Sequence, residues 1–201
     1  MRQRLQKEER IVQVLVTGGA GAIGEYVVVE LLRHGLQVTV LDTRPAKESC
    51  ARASCALCDL TDLDAARQAI RDADAVVHLA AIPNPQHDPP DRVLGVNLVS
   101  TFNVLEAVRL NGIKRIVYAC SESATGFGIH NVWYKPLYVP IDEAHPCWPH
   151  ECYSLSKFYG EQFVWQYARA YGLQAISLRY PWVWTERDDA GVGGDEPVEA
   201  F

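Results

Sequence analysis

Tyr153 and Lys157 stand four apart in "ECYSLSKFYGEQ" (residues 151–162), a run whose pattern predicts a helix. Positions i and i+4 share one helical face, so the phenol and the ammonium lie about one turn apart. Together they are a possible proton-transfer pair. A free tyrosine has a pKa near 10, too high for a base at neutral pH. A neighbouring positive charge favours the phenolate and is expected to lower that value. In an arbitrary helix such a pair carries no message, so its meaning depends on what the rest of the chain brings to it.

Gly18, Gly19, Gly21 and Gly24 lie where the β-rich run "IVQVLVTG" (residues 11–18) gives way to a helical pattern. "GAGAIG" satisfies G-x-G-x-x-G, and "TGGAGAIG" satisfies T-G-x-x-G-x-x-G. Glycines there permit a tight turn, a close approach of backbone to a pyrophosphate, and tight packing of helix on strand. The helix start, with Ala22 and Ile23 in its first turn, presents unpaired N–H groups and a positive dipole end to phosphates. Asp42 closes the next strand pattern, about twenty residues beyond, and is placed to bond the ribose hydroxyls of adenosine. A 2′-phosphate would meet that carboxylate, which favours NAD over NADP, while Arg44 two residues on keeps NADP open. The plainer reading of Asp42 is a solvated turn carboxylate.

Elements that would position these groups alternate along the chain. Strands are expected at residues 11–18, 36–42, 54–60, 74–81, 114–121 and 173–180, and helices near 22–34, 62–71, 92–110 and 152–171. The strands are near-continuous apolar runs, as a parallel sheet covered on both faces requires. Right-handed crossovers then give an α/β, doubly wound parallel sheet, a Rossmann fold. The expected organisation is a charged extension (residues 1–10), a dinucleotide-binding domain (11–185) and an acidic, loose tail (186–201).

The chain has 201 residues, 48% hydrophobic and 22% charged, with a net charge of −6. That balance argues against a nucleic-acid binder or a surface that seeks anionic lipid. No run reaches the roughly 18 consecutive apolar residues of a membrane span, and "MRQRLQKEER" lacks the apolar core of a signal peptide. The expected compartment is the cytosol. Cys55 and Cys58 form half of a zinc spacing without a second pair, so reduced thiols and no metal are expected.

Four features in order, "TGGAGAIG", "HLAA", "CSESATGFG" and "YSLSK", resemble the extended short-chain dehydrogenase/reductases of the NAD-dependent epimerase/dehydratase type. The resemblance runs from Ile11 to about Val183. It implies NAD as cofactor, with Asp59 and Leu60 holding adenine and Leu79, Ala80 and Ala81 passing under the cofactor ribose. Asn97 matches a helix asparagine near the active site; by itself it reads as a helix-surface amide. Tyr153 becomes the acid/base and Lys157 its partner and a ribose ligand. The substrate-orienting hydroxyl is Ser123 when aligned on "SATxxG", or Ser121 when aligned on the strand end. Glu122 departs from the small polar residue often found between them.

The implied chemistry is removal of an alcohol proton by Tyr153 as hydride passes from the same carbon to NAD⁺. The substrate is sugar-like, and the reaction an epimerisation or dehydration. Tyr180 belongs to "LRYPWVW", similar to the segment that closes over the cofactor, but Trp182 stands where nucleotide-sugar epimerases usually carry asparagine. "GFG" in place of "VYG", with a short C-terminal region, is similar to uronate dehydrogenases. The alternatives are therefore an NAD-dependent sugar or uronate dehydrogenase and a truncated, non-catalytic NAD-binding module, because the substrate lobe is largely absent. A homodimer is implied through the helices at 92–110 and 152–171, with Val93, Val96, Val104, Phe163, Val164 and Tyr167 serving core and interface together.

Overall fold

The computed structural model describes residues 12–86, 88–127 and 134–183. Among them six strands form one parallel sheet: β1 (Gln13–Thr17), β2 (Gln37–Asp42), β3 (Ser54–Leu57), β4 (Ala75–His78), β5 (Arg115–Ser121) and β6 (Gln174–Tyr180). The spatial order is β3-β2-β1-β4-β5-β6, so the strand order reverses between β1 and β4. Four α-helices accompany it: α1 (Ala22–Arg33), α2 (Leu63–Ile70), α3 (Pro90–Leu110) and α4 (Cys152–Tyr171). Every expected element is present, with strand ends trimmed. The third run stops at Leu57, after which the Cys58 N–H still bonds the Asp42 carbonyl at 2.9 Å. The expected extension at 1–10 and tail at 186–201 lie outside the described residues, as do Gly128 and Trp184.

The apolar runs are continuous because alternate side chains enter two different cores. Leu15, Leu41, Val76, Ile116 and Tyr118 pack with α2, α3 and α4 on one face. Val14, Val16, Val38 and Val40 pack with Val28 and Leu32 of α1 on the other. Burial of aliphatic side chains on both faces is the main force holding the sheet flat between its helices. By length and composition α3 could cross a membrane, but half of it is buried in the fold, between α2 and α4. Its apolar residues are core.

That placement sorts the expected residues. Val93, Val104 and Val164 are buried in this chain, and Phe163 and Tyr167 pack against the cluster that holds Val104 and Val164. Those three valines belong to the core, while Val96, Phe163 and Tyr167 are half-buried. The apolar side chains these helices leave exposed are others, Val99 and Phe102 of α3 and Tyr159 and Trp165 of α4.

Among the described residues β6 is the last strand of the sheet, and one ion pair fixes it. Glu161 of α4, only 4% exposed, accepts from Arg179 Nη2 at 2.8 Å and from Ser177 Oγ at 2.9 Å. Ser177 and Arg179 thus face α4, while Ile176 and Leu178 point to the opposite face, 57% and 39% exposed. Among the described residues α1 covers only the β1–β2 side of that face. Removing one partner of a buried pair leaves an uncompensated charge. Glu161→Gln is therefore expected to cost about 2–4 kcal/mol by urea unfolding. The Glu161→Gln/Arg179→Met double variant should lose less than the sum of the singles.

Candidate active site

The expected site residues gather at the C-terminal ends of the strands, on the side where an open α/β sheet leaves a crevice at its switch point. Gly18 follows β1 with φ +71°, and a Cβ there would lie 2.6 Å from the Ala80 backbone nitrogen. A Cβ on Gly24 would overlap the Gly18 carbonyl oxygen. Only glycine lets the loop lie on the strand exit at residues 79–80. Gly21 is the N-cap of α1 and supplies no side-chain cap, so Ala22 and Ile23 open a helix start of the kind that holds anions.

Asp42 ties this loop to β2. Its Oδ2 accepts from Ala20 N–H at 3.0 Å and its Oδ1 from Arg44 N–H at 3.1 Å. A carboxylate has about four acceptor positions, so two remain for hydroxyl donors. Asp59 is exposed; the Thr61 hydroxyl and N–H bond its Oδ1 and hold its pKa below the usual range. Leu60 turns its side chain into the core, and its carbonyl accepts from Asn103 Nδ2 at 2.9 Å. Leu79, Ala80 and Ala81 leave β4 beside Gly18. Tyr180 pairs with Ser121 in the β5–β6 register. Trp182 is 77% exposed.

Asn97 is no surface amide. It is buried, its Oδ1 accepts from Ile82 N–H at 2.8 Å, and its Nδ2 donates to the Ile82 carbonyl and to Ser156 Oγ at 3.0 Å. Ser156 Oγ in turn donates to the Tyr153 carbonyl at 2.7 Å. One amide therefore braces the strand exit against the turn of α4 that carries the phenol. Glu151 starts that turn: its carboxylate accepts from the N–H groups of Tyr153 and Ser154, and Ser154 Oγ accepts from Glu151 N–H. This reciprocal cap satisfies helix-end donors that would otherwise lack partners.

Three site-supporting residues escaped the sequence reading: Thr17, His78 and Thr101. Thr17 Oγ1 lies 2.7 Å from His78 Nδ1 and accepts from Ala80 N–H at 3.3 Å. Thr101 Oγ1 lies 3.2 Å from His78 Nε2 and donates to the Asn97 carbonyl at 2.7 Å. Each hydroxyl has one proton. Thr101 gives its proton to Asn97, so His78 donates from Nε2 and accepts at Nδ1, as a neutral imidazole. Burial, and then the charge of Lys157, push its pKa down to about 3. A histidine inside the apolar run "DAVVHLAA" was the available signal.

At the reacting end, Ser121 and Ser123 are both buried. Ser121 Oγ accepts from Ser123 N–H at 3.1 Å, and the Ser121 hydroxyl acts to lower the pKa of the Tyr153 phenol. Lys157 is buried and donates to the Ala119 carbonyl at 2.8 Å, with Nζ 5.7 Å from the Tyr153 ring centre. The expected depression of the tyrosine pKa does not hold in this state. Burial pushes Tyr153 up to about 12, outweighing the Ser121 hydrogen bond, which acts the other way. The same burial pushes Lys157 down to about 8. An unfolded lysine keeps its proton up to about pH 10.5, so between about 8 and 10.5 the unfolded chain binds the extra proton. Stability due to this group therefore rises with pH across that window. Wild type should gain on Lys157→Met between pH 8 and 10.5, measured as the difference between their urea midpoints.

The family model described as "NAD dependent epimerase/dehydratase family" matches residues 14–194. A putative UDP-glucose 4-epimerase of Methanocaldococcus jannaschii is 35% identical over 88% of this chain and 57% of its own. A uronate dehydrogenase of Pseudomonas syringae pv. tomato is 32% identical over 83% of this chain and 58% of its own. In three dimensions, a short-chain dehydrogenase/reductase superfamily protein from Agrobacterium tumefaciens with bound NAD superposes with a TM-score of 0.73. It is 32% identical, with 83% of this chain and 48% of that one covered. The chain thus spans about half the length of the proteins it matches. With a matched model covering most of its length and the glycine loop, buried serines and Tyr–Lys helix in one crevice, the chain belongs to the NAD-dependent epimerase/dehydratase family.

Proposed function

We propose that this chain binds NAD and uses it for hydride transfer at a secondary alcohol of a sugar or nucleotide sugar, as an epimerase or dehydratase. The observation that carries the reading is the buried Lys157, its Nζ 5.7 Å from the Tyr153 ring and bonded to β5 near the buried Ser121 and Ser123, on a sheet whose first strand ends in a loop only glycine could form. The residues fit the cofactor. Gly18, Gly21, Ala22, Ile23 and Gly24 would take its pyrophosphate, Asp42 the adenosine ribose, and Asp59 and Leu60 the adenine. Leu79, Ala80, Ala81 and Tyr180 would flank the rest, and Asn97 would act through its grip on Ile82. Bound there, NAD supplies the hydride acceptor and a positive ring.

Tyr153 would accept the alcohol proton on its phenolate oxygen. The positive charge of the occupied site opposes the desolvation that keeps the phenol protonated. Ser121 would share that proton, and Ser123 would hold the substrate oxygen. Lys157, buried and near neutrality, would turn from the Ala119 carbonyl toward the cofactor ribose. A dehydrogenase acting on a sugar acid is the second reading, favoured by the 32% identity to a uronate dehydrogenase. A non-catalytic NAD-binding module is the third, favoured by the half-length coverage. Six unpaired cysteines suit the reducing cytosol as its compartment.

Titration calorimetry with NAD⁺, followed by NADH absorbance and product analysis on a panel of sugars, uronates and nucleotide sugars, separates these readings. Turnover lost by about a hundredfold or more in Tyr153→Phe, with NAD⁺ affinity retained, is expected for the enzyme. NAD⁺ binding with no turnover on any panel member leaves the module, and no NAD⁺ binding removes all three.

A homodimer is the proposed assembly, since two-fold pairing is the commonest for soluble oligomers. Its interface would run along the exposed stripe of Val99 and Phe102, where Phe102 stands edge-on to Tyr167 at 6.5 Å. Light scattering should find a dimer for wild type and a monomer for Phe102→Glu; a monomeric wild type overturns it.

A further inference from the structure

Two cations follow Asp42 in the segment that leaves β2, Arg44 within charge range of a carboxylate and Lys47 hydrogen-bonded to one. Arg44 Nε lies 3.9 Å from Asp42 Oδ1. Lys47 Nζ lies 2.7 Å from Glu25 Oε2, and the other oxygen of Glu25 accepts from Ser49 Oγ. Glu25 sits in the first turn of α1, its N–H bonded to the Gly21 carbonyl at 3.1 Å. Asp42 reaches the same loop through Ala20 N–H. The segment after β2 is thereby tied at Lys47 to the first turn of α1, the helix that follows the loop Asp42 holds. Glu25 is 7% exposed, so its charge is poorly screened by solvent.

We propose that Glu25 is a second determinant of cofactor choice, acting with Asp42 to favour NAD over NADP. This deepens the NAD reading above and rests on it. A 2′-phosphate carries close to two negative charges and needs cations within hydrogen-bond reach. Arg44 is engaged by Asp42, and Lys47 by Glu25. Removing Asp42 alone releases one cation. Lys47 remains bonded to Glu25, whose own negative charge stays in the first turn of α1. Lysine carries its ammonium on a flexible four-carbon stem, so once Glu25 loses its charge, Lys47 is free to swing to the ribose. A purely structural role for Glu25, fastening Ser49 and Lys47 to α1, would leave the cofactor ratio unchanged.

The test uses the full chain and calorimetric Kd values for NAD⁺ and NADP⁺, with circular dichroism and melting curves for folding. Asp42→Ser/Glu25→Gln should bind NADP⁺ about tenfold more tightly than Asp42→Ser, the size of one added charged contact. Adding Lys47→Met to the double variant should abolish that gain, while NAD⁺ affinity changes by about threefold or less. Glutamine keeps an acceptor for Ser49, and Glu25→Ser replaces it in the series should the glutamine variant not fold. A double variant that gains nothing, or a gain that survives Lys47→Met, overturns the assignment. Wild type that binds NAD⁺ alongside either result leaves the NAD reading standing. Wild type that binds neither dinucleotide removes both.

Discussion

From Thr17 at the end of β1, through the His78 imidazole, to Thr101 and the Asn97 carbonyl on α3, buried polar groups satisfy one another in series. Each link fixes the proton of the next, because a buried donor or acceptor left unpaired is destabilising by about 1–3 kcal/mol. A second proton on His78 would force Thr17 to stop donating, and it would place a cation near Lys157 in a dry interior. The chain of bonds therefore suits a neutral imidazole with every member paired. Its two ends are the strand exit under the glycine loop and the helix that braces α4. The loop and the Tyr153 turn are thus held in register by side chains that need touch neither cofactor nor substrate.

Burial does opposite things to the two groups at the reacting end. It keeps the Tyr153 phenol protonated and makes the Lys157 ammonium easier to lose, since each charged form is disfavoured by loss of solvent. Both shifts bring the pair nearer to neutrality. At neutral pH the phenol is therefore neutral while most of the Lys157 ammonium keeps its charge, the same charge that helps to hold His78 neutral.

How much of this could be read from residues alone depends on the range of the interaction. The sheet and helices were legible because Val14, Leu15 and Val16 alternate between two cores, leaving an unbroken apolar run. The glycine loop and the Tyr–Lys spacing are local patterns for the same reason. Contacts made across the fold leave no local trace: His78 meets Thr101 23 positions on, and Asn97 meets Ser156 59 positions on. The burial that raises the Tyr153 pKa in the unliganded chain was not legible either, because a neighbouring lysine is visible in sequence whereas desolvation is not. Nor was the burial of Val93, Val104 and Val164, since an apolar face of a helix does not declare which neighbour it meets. Ser123 and Ser121 are both buried at the end of β5, so adjacent alignments that differ by two residues lead to the same place in the fold.

The ion pair on β6 also decides how that strand can be read by the rest of the fold. With Ser177 and Arg179 turned to α4, alternation sends Ile176 and Leu178 to the opposite face. A slip of one residue would set Ile176 and Leu178 against the Glu161 carboxylate and leave a buried charge without its partner. One buried charge thus holds the whole strand in register.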